Sequence, residues 1–308
     1  MTTHVFIDGA AGTTGLEIRE RLGRRSEFTL ITLDDAQRKD AGARKTALND
    51  ADVVILCLPD DAAREAVSLI DNDRTKVIDA STAHRVASGW TYGFPEIVGR
   101  DRVAQSARIS NPGCYPTGFI ALVAPLVRAG VIPADWPFTC NAVSGYSGGG
   151  KAMIAEFENG SPPTAWHTYA LSLAHKHVPE MQAHTGLSFA PVFAPSVVNI
   201  HRGMIVDVPL QLGAIAGKPS PEAIRAAWTQ CYAGSRIVRV VDEYPQANLM
   251  IERLAGKDVM ELMLFTSVDG AQARLVAVLD NLGKGASGAA VQNLNILSGI
   301  EETAGLIL

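Results

Sequence analysis

The N-terminal segment constrains the fold most, because it reads as a short strand, a glycine-rich turn and a helix in direct succession. Residues 4–8 are an apolar run, and the turn that follows has the spacing Gly-x-x-Gly-x-x-Gly. Gly9 suits a tight turn, Gly12 lets the backbone approach a pyrophosphate, and Gly15 permits close helix packing. This order predicts a Rossmann-type unit whose helix N-terminus holds dinucleotide phosphates. Glycine turns also occur where nothing binds.

Further apolar segments predict the next strands of a parallel sheet. They lie at residues 28–33, 51–59 and 76–80. The segment at 51–59 is almost entirely apolar and ends in proline, which is typical of a parallel strand buried on both faces. The first half of the chain therefore predicts an α/β domain.

The residues after the second strand leave the cofactor type open. Asp34 and Asp35 lie about 20 residues after the glycine turn, where an acidic residue contacts a ribose 2′-hydroxyl. Arg38 and Lys39 follow them, and these cations can instead bind a 2′-phosphate. The segment alone does not separate NAD from NADP, and a solvated charged loop explains it equally well.

Residues 110–118 place a cysteine where a proline-glycine turn ends and a helix begins. Pro116 suits the first helical position, Pro125 is expected to kink or shorten the helix, and Gly130 is expected to cap it. Cys114 then lies at the helix N-terminus, where unpaired N–H groups and the dipole favour a thiolate and can stabilise an oxyanion. A buried structural cysteine is the alternative.

Histidines after an apolar segment supply candidates for acid/base catalysis. His175 and His177 can share one face of an extended segment, but not of a helix. Either can transfer protons near neutral pH, oriented by Glu180. A metal site is disfavoured, because no third ligand is evident beyond His184.

Composition narrows the class of protein. The 308 residues, 47% of them hydrophobic, can form a large core in two domains. The net charge of −5, without a basic cluster, gives no support for nucleic-acid or membrane binding. No segment predicts a membrane span or a signal peptide, so we expect a cytoplasmic protein. The cysteines lack Cys-x-x-Cys spacing, which argues against zinc and disulfides, and Cys57, Cys140 and Cys231 are expected to pack in the core.

The late part of the chain predicts a different kind of sheet. Strand-like segments crowd together at residues 205–212, 237–241, 259–265 and 275–279. Such crowding favours an antiparallel or mixed sheet. A small-residue turn at 280–288 then leads into a helix, an arrangement suited to a closely approaching cofactor.

Taken together, several segments resemble the N-acetyl-γ-glutamyl-phosphate reductases, in particular their shorter form. These segments are residues 9–15, 79–85, 92–96, 110–117, 175–180 and 280–288. They follow in order along nearly the whole chain, and those at 110–117 and 280–288 are the specific ones. The sequence of the 79–85 segment differs from that of the longer form of these reductases. This difference concerns the details of the substrate pocket more than the type of reaction.

The resemblance implies an α/β fold of the semialdehyde dehydrogenase kind. Its first part is a Rossmann NADP-binding domain at residues 1–113, completed by a C-terminal helix at 285–308. Its second part is an α+β catalytic and oligomerisation domain with a mixed sheet at residues 114–284. A homo-oligomer, dimer or tetramer, is implied as well.

The resemblance also implies an activity and a set of residues. NADPH would reduce N-acetyl-L-glutamyl 5-phosphate to the 5-semialdehyde in arginine biosynthesis, through a thioester on Cys114, with His175 as acid/base and Glu180 nearby. The cofactor-binding residues would be Gly9, Gly12, Thr13, Thr14, Gly15, Arg38, Asn281 and Lys284. The substrate-binding residues would be Ser81, Arg85, Asn111 and Arg202. Arg85 and Arg202 are chosen because a guanidinium pairs in a bidentate way with carboxylate or phosphate.

Other functions fit the same residues. An aspartate-semialdehyde or aminoadipyl-phosphate reductase would use the same cysteine, histidine and cofactor. A non-catalytic, redox-sensing dinucleotide-binding protein is less favoured, because it offers no role for His175 or Glu180.

Overall fold

The computed structural model describes residues 2–160 and 162–308, and the chain divides into two compact units. Unit 1 comprises Met1–Pro112 and Ala286–Leu306, and unit 2 comprises Gly113–Gly285 and Ile307–Leu308. We number strands and helices along the whole chain.

Unit 1 contains a parallel sheet with the order β2-β1-β3-β4-β6-β5, six strands in its described residues. The strands are β1 Thr3–Asp8, β2 Phe28–Ile31, β3 Val53–Leu56, β4 Lys76–Asp79, β5 Thr91–Tyr92 and β6 Arg108–Ser110. The helices are α1 Thr13–Leu22, α2 Ala41–Asp50, α3 Asp60–Ser68, α4 Pro95–Val98, α5 Arg100–Ala104 and α10 Gly288–Leu297.

Both faces of this sheet are covered, which explains the continuous apolar runs in the sequence. Along β3, Val53 and Ile55 pack in the cluster that includes residues of α1 and α10. Val54 and Leu56 pack in the cluster that includes residues of α2 and α3. The predicted Rossmann-type sheet is confirmed, and β1, β3 and β4 lie where the sequence predicts strands.

The last helix is shorter than predicted. It ends at Leu297 instead of continuing through residue 308. Gly299 has a φ of 68°, a left-handed conformation that stops the helix. The final residues join unit 2, where the backbone N–H of Asp258 donates to the carbonyl of Ile307 over 2.7 Å.

Unit 2 contains a mixed sheet with the order β11-β12-β13-β10-β7-β9-β8, seven strands among its described residues. The strands are β7 Thr139–Gly145, β8 Trp166–Thr168, β9 Val192–Val198, β10 Met204–Gln211, β11 Val238–Val241, β12 Met260–Thr266 and β13 Gln272–Leu279. The helices are α6 Cys114–Arg128, α7 Gly150–Glu158, α8 Val178–Thr185 and α9 Pro221–Cys231. Two neighbouring pairs, β11 with β12 and β7 with β9, are parallel, and the others are antiparallel, so the prediction of a mixed sheet is confirmed.

Helix α6 is the buried helix of unit 2, and it runs through Pro125 to Arg128. Proline has no N–H to donate to the carbonyl of Ala121, and the hydroxyl of Tyr232 donates to that carbonyl instead, over 2.7 Å. The expected shortening at Pro125 is therefore wrong, because a side chain distant in sequence supplies the missing hydrogen bond. Gly130 follows the helix with a φ of 67°, as its predicted capping role requires.

Within residues 2–160 and 162–308, none of the helices combines the length and apolar character that crossing a bilayer requires.

Candidate active site

Cys114 is the first residue of α6, so its thiol lies at the N-terminus of a 15-residue helix. The preceding Gly113 is extended, with φ −74° and ψ 152°, and Pro116 takes the third helical position instead of the predicted first. Cys114 is half-buried. The helix start therefore places the thiol at the positive end of the helix dipole, which stabilises a thiolate.

Glu180 fixes the turn that presents Cys114. Its Oε1 accepts the backbone N–H of Gly113 over 2.8 Å, and the side chain is buried. Glu180 belongs to α8, which packs against α6. The sequence suggested that Glu180 orients a histidine, whereas this bond ties it to the residue before the cysteine.

His175 lies among aromatic rings close to the start of α6. Its ring centroid is 6.4 Å from Tyr115, 5.7 Å from Tyr169 and 5.1 Å from Phe193. Tyr115 directly follows Cys114 in α6, so this packing places His175 in the neighbourhood of the thiol. The sequence did not identify Tyr115 or Tyr169, although one adjoins the cysteine and the other begins the apolar segment before His175.

The two histidines differ in exposure and in hydrogen bonding. His175 is half-buried, whereas His177 is only 7% exposed. The Nδ1 atom of His175 accepts the backbone N–H of His177 over 3.1 Å. In the neutral ring, Nε2 of His175 then carries the proton and can donate it.

The tyrosine hydroxyls form a short chain beside the thiol. Tyr169 donates to Tyr115 over 3.3 Å, and Tyr115 donates to the carbonyl of Ser196 over 3.1 Å. Burial raises the pKa of Tyr169 to about 12 and raises that of Tyr115 well above its usual range. The neighbouring Cys114 thiolate adds to both shifts. Both phenols therefore remain protonated donors at neutral pH.

Two other cysteines lie in environments that suppress reactivity. Burial raises the pKa of the Cys57 thiol to about 12, with smaller contributions from Asp79 and Asp8. Burial also raises the pKa of Cys140, which lies within β7. These thiols stay protonated at neutral pH and are poor nucleophiles.

The turn after β13 packs directly on Cys114. A Cβ atom placed on Gly285 would lie 3.0 Å from the Cβ of Cys114, so only glycine fits there without displacing it. Asn281 in the same turn donates to the hydroxyl of Ser147 and accepts the N–H of Gly203. Lys284 is almost fully buried. The structure thus gives Asn281, predicted to bind cofactor, internal partners within unit 2.

Arg202 also has an internal partner. Its guanidinium makes a bidentate ion pair with Asp280, through Nε over 2.7 Å and Nη2 over 3.1 Å. Asp280 is completely buried, while the Arg202 side chain is 26% exposed. The sequence suggested that Arg202 binds the substrate, whereas the structure shows the guanidinium held by the turn that packs on Cys114.

In unit 1, the glycine turn between β1 and α1 has the shape that a pyrophosphate requires. Gly9 has a φ of 89°, and a Cβ there would lie 2.3 Å from the carbonyl oxygen of Cys57. A Cβ on Gly15 would lie 2.4 Å from the carbonyl oxygen of Gly9, whereas a Cβ on Gly12 would make an ordinary contact of 3.4 Å with that oxygen. Thr13 and Thr14 begin α1 directly after the turn. These features fit a dinucleotide whose phosphates meet the N-terminus of α1.

A cleft extends from this turn to the end of β2. It is lined by residues 6–10 and 30–33 together with Arg19 and Arg38. Arg38 pairs with Asp35 and its Nε donates to the carbonyl of Asp34 over 3.4 Å. Arg19 was not identified from the sequence, because on a helix pattern it reads as one of several surface cations.

The remaining predicted residues cluster around the end of β4 in unit 1. Ser81 donates to Asp79 over 2.8 Å, and Nε of Arg85 donates to the carbonyl of Asn111 over 3.1 Å. The amide of Asn111 donates to the carbonyl of Ala286 over 3.0 Å. All three predicted substrate-binding residues of this unit are buried and bonded within it. In the residues that the structure describes, no group of histidine, cysteine or acidic side chains is arranged to hold a metal ion.

These features define a dinucleotide-binding unit followed by a unit with a helix-terminal cysteine, and family comparison identifies the class. The sequence matches the semialdehyde dehydrogenase NAD binding domain over residues 4–106 and the semialdehyde dehydrogenase dimerisation domain over residues 114–281. The chain therefore belongs to the semialdehyde dehydrogenase family, and it is an oxidoreductase with an NAD(P)-binding domain.

Individual relatives confirm the resemblance to the N-acetyl-γ-glutamyl-phosphate reductases that the sequence segments indicate. The chain is 50% identical to "N-acetyl-gamma-glutamyl-phosphate reductase 2" of Pseudomonas putida, covering 99% of both proteins. It is 50% identical to the N-acetyl-gamma-glutamyl-phosphate reductase of Brucella ovis, covering 97% of this chain and 100% of the relative.

Solved structures share the fold at low identity. Aspartate semialdehyde dehydrogenase II from Vibrio cholerae superposes with a TM-score of 0.73 at 17% identity, covering 96% of this chain and 98% of that structure. The enzyme from Francisella tularensis gives 0.69 at 14% identity, with 96% and 100% covered. The predicted fold class is confirmed.

Proposed function

We propose that this chain catalyses the NADPH-dependent reduction of N-acetyl-L-glutamyl 5-phosphate to N-acetyl-L-glutamate 5-semialdehyde and phosphate, as a step of arginine biosynthesis. The observation that carries the proposal is Cys114 at the start of α6, held by the bond from Gly113 to Glu180. The identity to N-acetyl-gamma-glutamyl-phosphate reductases supports the choice of substrate over the shorter aspartyl analogue.

The first chemical step uses the thiolate of Cys114. It attacks the acyl carbon, the bond between that carbon and the phosphate oxygen breaks, and inorganic phosphate leaves behind a thioester. Negative charge develops on the carbonyl oxygen during the attack. The positive end of the α6 dipole stabilises that charge, because Cys114 is the first residue of the helix.

His175 holds and moves the proton of the later step. The bond from His177 to Nδ1 of His175 leaves Nε2 as the atom that exchanges a proton with the reacting groups. Nε2–H of His175 donates its proton to the carbonyl oxygen as the thioester is reduced to a thiohemiacetal, and Nε2 takes that proton back as the aldehyde forms and the Cys114 thiolate is released. The surrounding rings of Tyr115, Tyr169 and Phe193 keep the imidazole in place.

A bound nicotinamide cofactor would supply the hydride for reduction of the thioester carbonyl. Its phosphates would be held by Gly9, Gly12 and the start of α1, since this turn leaves room for close backbone approach. We place cofactor binding in unit 1 and the covalent chemistry in unit 2. We also propose Ser81, Arg85 and Asn111 as substrate-binding residues. This choice rests on the resemblance to the reductases, and the bonds within unit 1 hold their side chains in fixed positions.

The reverse reaction tests the proposed activity. The purified protein is incubated with phosphate, NADP⁺ and a panel of N-acetylglutamate, aspartate and aminoadipate semialdehydes, and nicotinamide absorbance is followed. We expect phosphate-dependent reduction of NADP⁺ with N-acetylglutamate semialdehyde and much slower reaction with the others. A preference for another aldehyde would change the substrate, and no turnover with any would favour the redox sensor.

Arg38 is expected to favour NADPH over NADH, because a guanidinium at the end of the cleft pairs with a 2′-phosphate. Arg38→Ser should raise the KM for NADPH by about 10-fold and leave the KM for NADH nearly unchanged. Arg64→Ser is the matched control, because Arg64 also pairs with an aspartate three residues away but lies outside the cleft. Equal effects on both cofactors, or a wild-type preference for NADH, would contradict this assignment.

The open face of the sheet in unit 2 is the proposed interface of a homodimer. Ala194 and Asn141 lie side by side on the neighbouring strands β9 and β7, and both are exposed. Trp166, on the edge strand of this face, is 55% exposed. The match of this unit to a dimerisation domain supports a second copy of the chain as the occupant.

Ala194→Glu should convert the dimer to a monomer, because the larger side chain would hold the two copies apart and its charge would lose water at the interface. Analytical ultracentrifugation at micromolar concentration measures the mass. Val86→Glu is the control, because Val86 is exposed on unit 1. A dimer that persists in Ala194→Glu would place the interface elsewhere.

A further inference from the structure

The buried carboxylate of Asp280 organises the turn that follows β13. Its Oδ1 accepts the backbone N–H groups of Leu282 over 2.7 Å and of Gly283 over 2.9 Å. Its main-chain carbonyl accepts the N–H of Gly285 over 3.0 Å. These bonds join both ends of the turn to one residue, so the position of Gly285 depends on Asp280.

Arg202 supplies the countercharge that a completely buried carboxylate requires. The ion pair is bidentate, and the side chain of Asp280 also accepts the N–H of Gly256. Two parallel bonds to a planar guanidinium fix the orientation of a carboxylate as well as its charge. Removing the guanidinium would leave a buried negative charge without its cationic partner and would loosen the turn.

The turn is confined on its other side as well, so a change at Asp280 is transmitted to Cys114. A Cβ on Gly283 would lie 2.1 Å from the carbonyl oxygen of Lys257, which leaves the turn no room to move in that direction. Gly285, at the opposite end, packs on the Cβ of Cys114. The backbone of Gly285 thereby limits the side-chain conformations that the thiol can adopt.

We infer that Arg202 and Asp280 are positioning residues for the Cys114 thiolate, acting through the backbone of Gly285, and that Arg202 is not the substrate anchor. The inference rests on the proposed function in taking Cys114 as the nucleophile. The positioning itself does not depend on the substrate, because it concerns how the free protein holds a thiol at a helix N-terminus. Loss of the ion pair lets the sulfur leave that position, and the thiolate is then less stabilised.

The test compares the reactivity of the thiol with the kinetics of turnover in Arg202→Gln. The rate of iodoacetamide alkylation of the peptide containing Cys114 is measured by mass spectrometry against pH, without substrate. We expect the midpoint of the alkylation rate against pH to rise by about 0.5 pH units or more in Arg202→Gln. The rise would bring it toward the value of ~8.5 for a free thiol. We also expect kcat to fall by about 10-fold while the KM for the semialdehyde changes by less than about 3-fold.

A substrate anchor would behave in the opposite way. The alkylation midpoint would stay at the wild-type value, and the KM would rise by about 10-fold or more. That pattern would overturn the inference. Arg202→Lys keeps the charge but not the bidentate geometry, so it should fall between the wild type and Arg202→Gln in both measurements.

If Arg202→Gln does not fold, Gly285→Ala is used instead for the alkylation measurement. Its new methyl group would meet the carbonyl of Asp280 at 2.9 Å and Cys114 at 3.0 Å, so it should raise the alkylation midpoint with Arg202 intact. Gly213→Ala is the matched control, because its nearest contact would be an ordinary 3.9 Å. An unchanged midpoint in Gly285→Ala would overturn the inference. Failure of the proposed function would show differently, as normal turnover in Cys114→Ser.

Discussion

Cys114→Ser should lower turnover by on the order of 10³-fold or more, because a serine hydroxyl is far less nucleophilic than a thiolate without a strong base beside it. The N-terminus of α6 stabilises a thiolate, but it does not bring an alkoxide into the accessible pH range. The variant should keep its fold, measured by circular dichroism, and its affinity for NADPH, measured by nucleotide fluorescence. The loss is therefore expected in kcat, not in cofactor binding.

Cys231→Ser is the control for this experiment. Cys231 is also a half-buried free cysteine, but it lies at the end of α9. Its replacement should leave turnover within about 2-fold of the wild type, as is usual for a change outside the reacting groups. Near-normal turnover in Cys114→Ser would remove the covalent mechanism altogether.

His175→Asn should lower kcat by on the order of 10²-fold, because the variant has no group that exchanges a proton near neutral pH. Asparagine keeps a polar side chain of similar reach, so the aromatic surroundings change little. The measurement is kcat in the reverse direction, with phosphate and semialdehyde saturating. The pH dependence of kcat should also lose the limb that the histidine contributes.

His177→Asn tests which of the two histidines carries the role. It should lower kcat much less than His175→Asn does. The ring of His177 is buried, and its backbone N–H, which the substitution retains, is the group that bonds to His175. Both variants need a circular dichroism spectrum that matches the wild type. A larger loss at His177, or equal losses, would mean that the acid/base role belongs to the other histidine.

Local sequence pattern was sufficient to predict the glycine turn of unit 1 and the helix that begins at Cys114. The buried strand Val53–Leu56 and the strand-turn-helix at the N-terminus have periodicity and glycine spacing that short segments alone reveal. The start of α6 at Cys114 was signalled by the proline-glycine turn before it. These features depend on neighbours within a few residues, so they can be predicted from the sequence.

Features that depend on distant partners were not predictable in this way. Helix α6 passes Pro125 because Tyr232, 111 residues beyond the carbonyl that it satisfies, donates the missing hydrogen bond. Arg202 finds its carboxylate 78 residues later, so the sequence could only suggest that an arginine binds an anion. The contribution of Tyr169 to the surroundings of His175 follows from packing. In each case the sequence indicates the chemical character of the residue, but it does not indicate which distant residue is its partner.

The covalent intermediate is the most direct test of the proposed mechanism. The enzyme is mixed with N-acetylglutamyl phosphate in the absence of nicotinamide cofactor, quenched in acid and digested for mass spectrometry. Without a hydride donor the thioester should accumulate, and an N-acetylglutamyl adduct should appear on the peptide that contains Cys114 and on no other cysteine peptide. An adduct that maps to Cys57, Cys140 or Cys231, or no adduct at any time in enzyme that turns over once cofactor is supplied, would contradict the account.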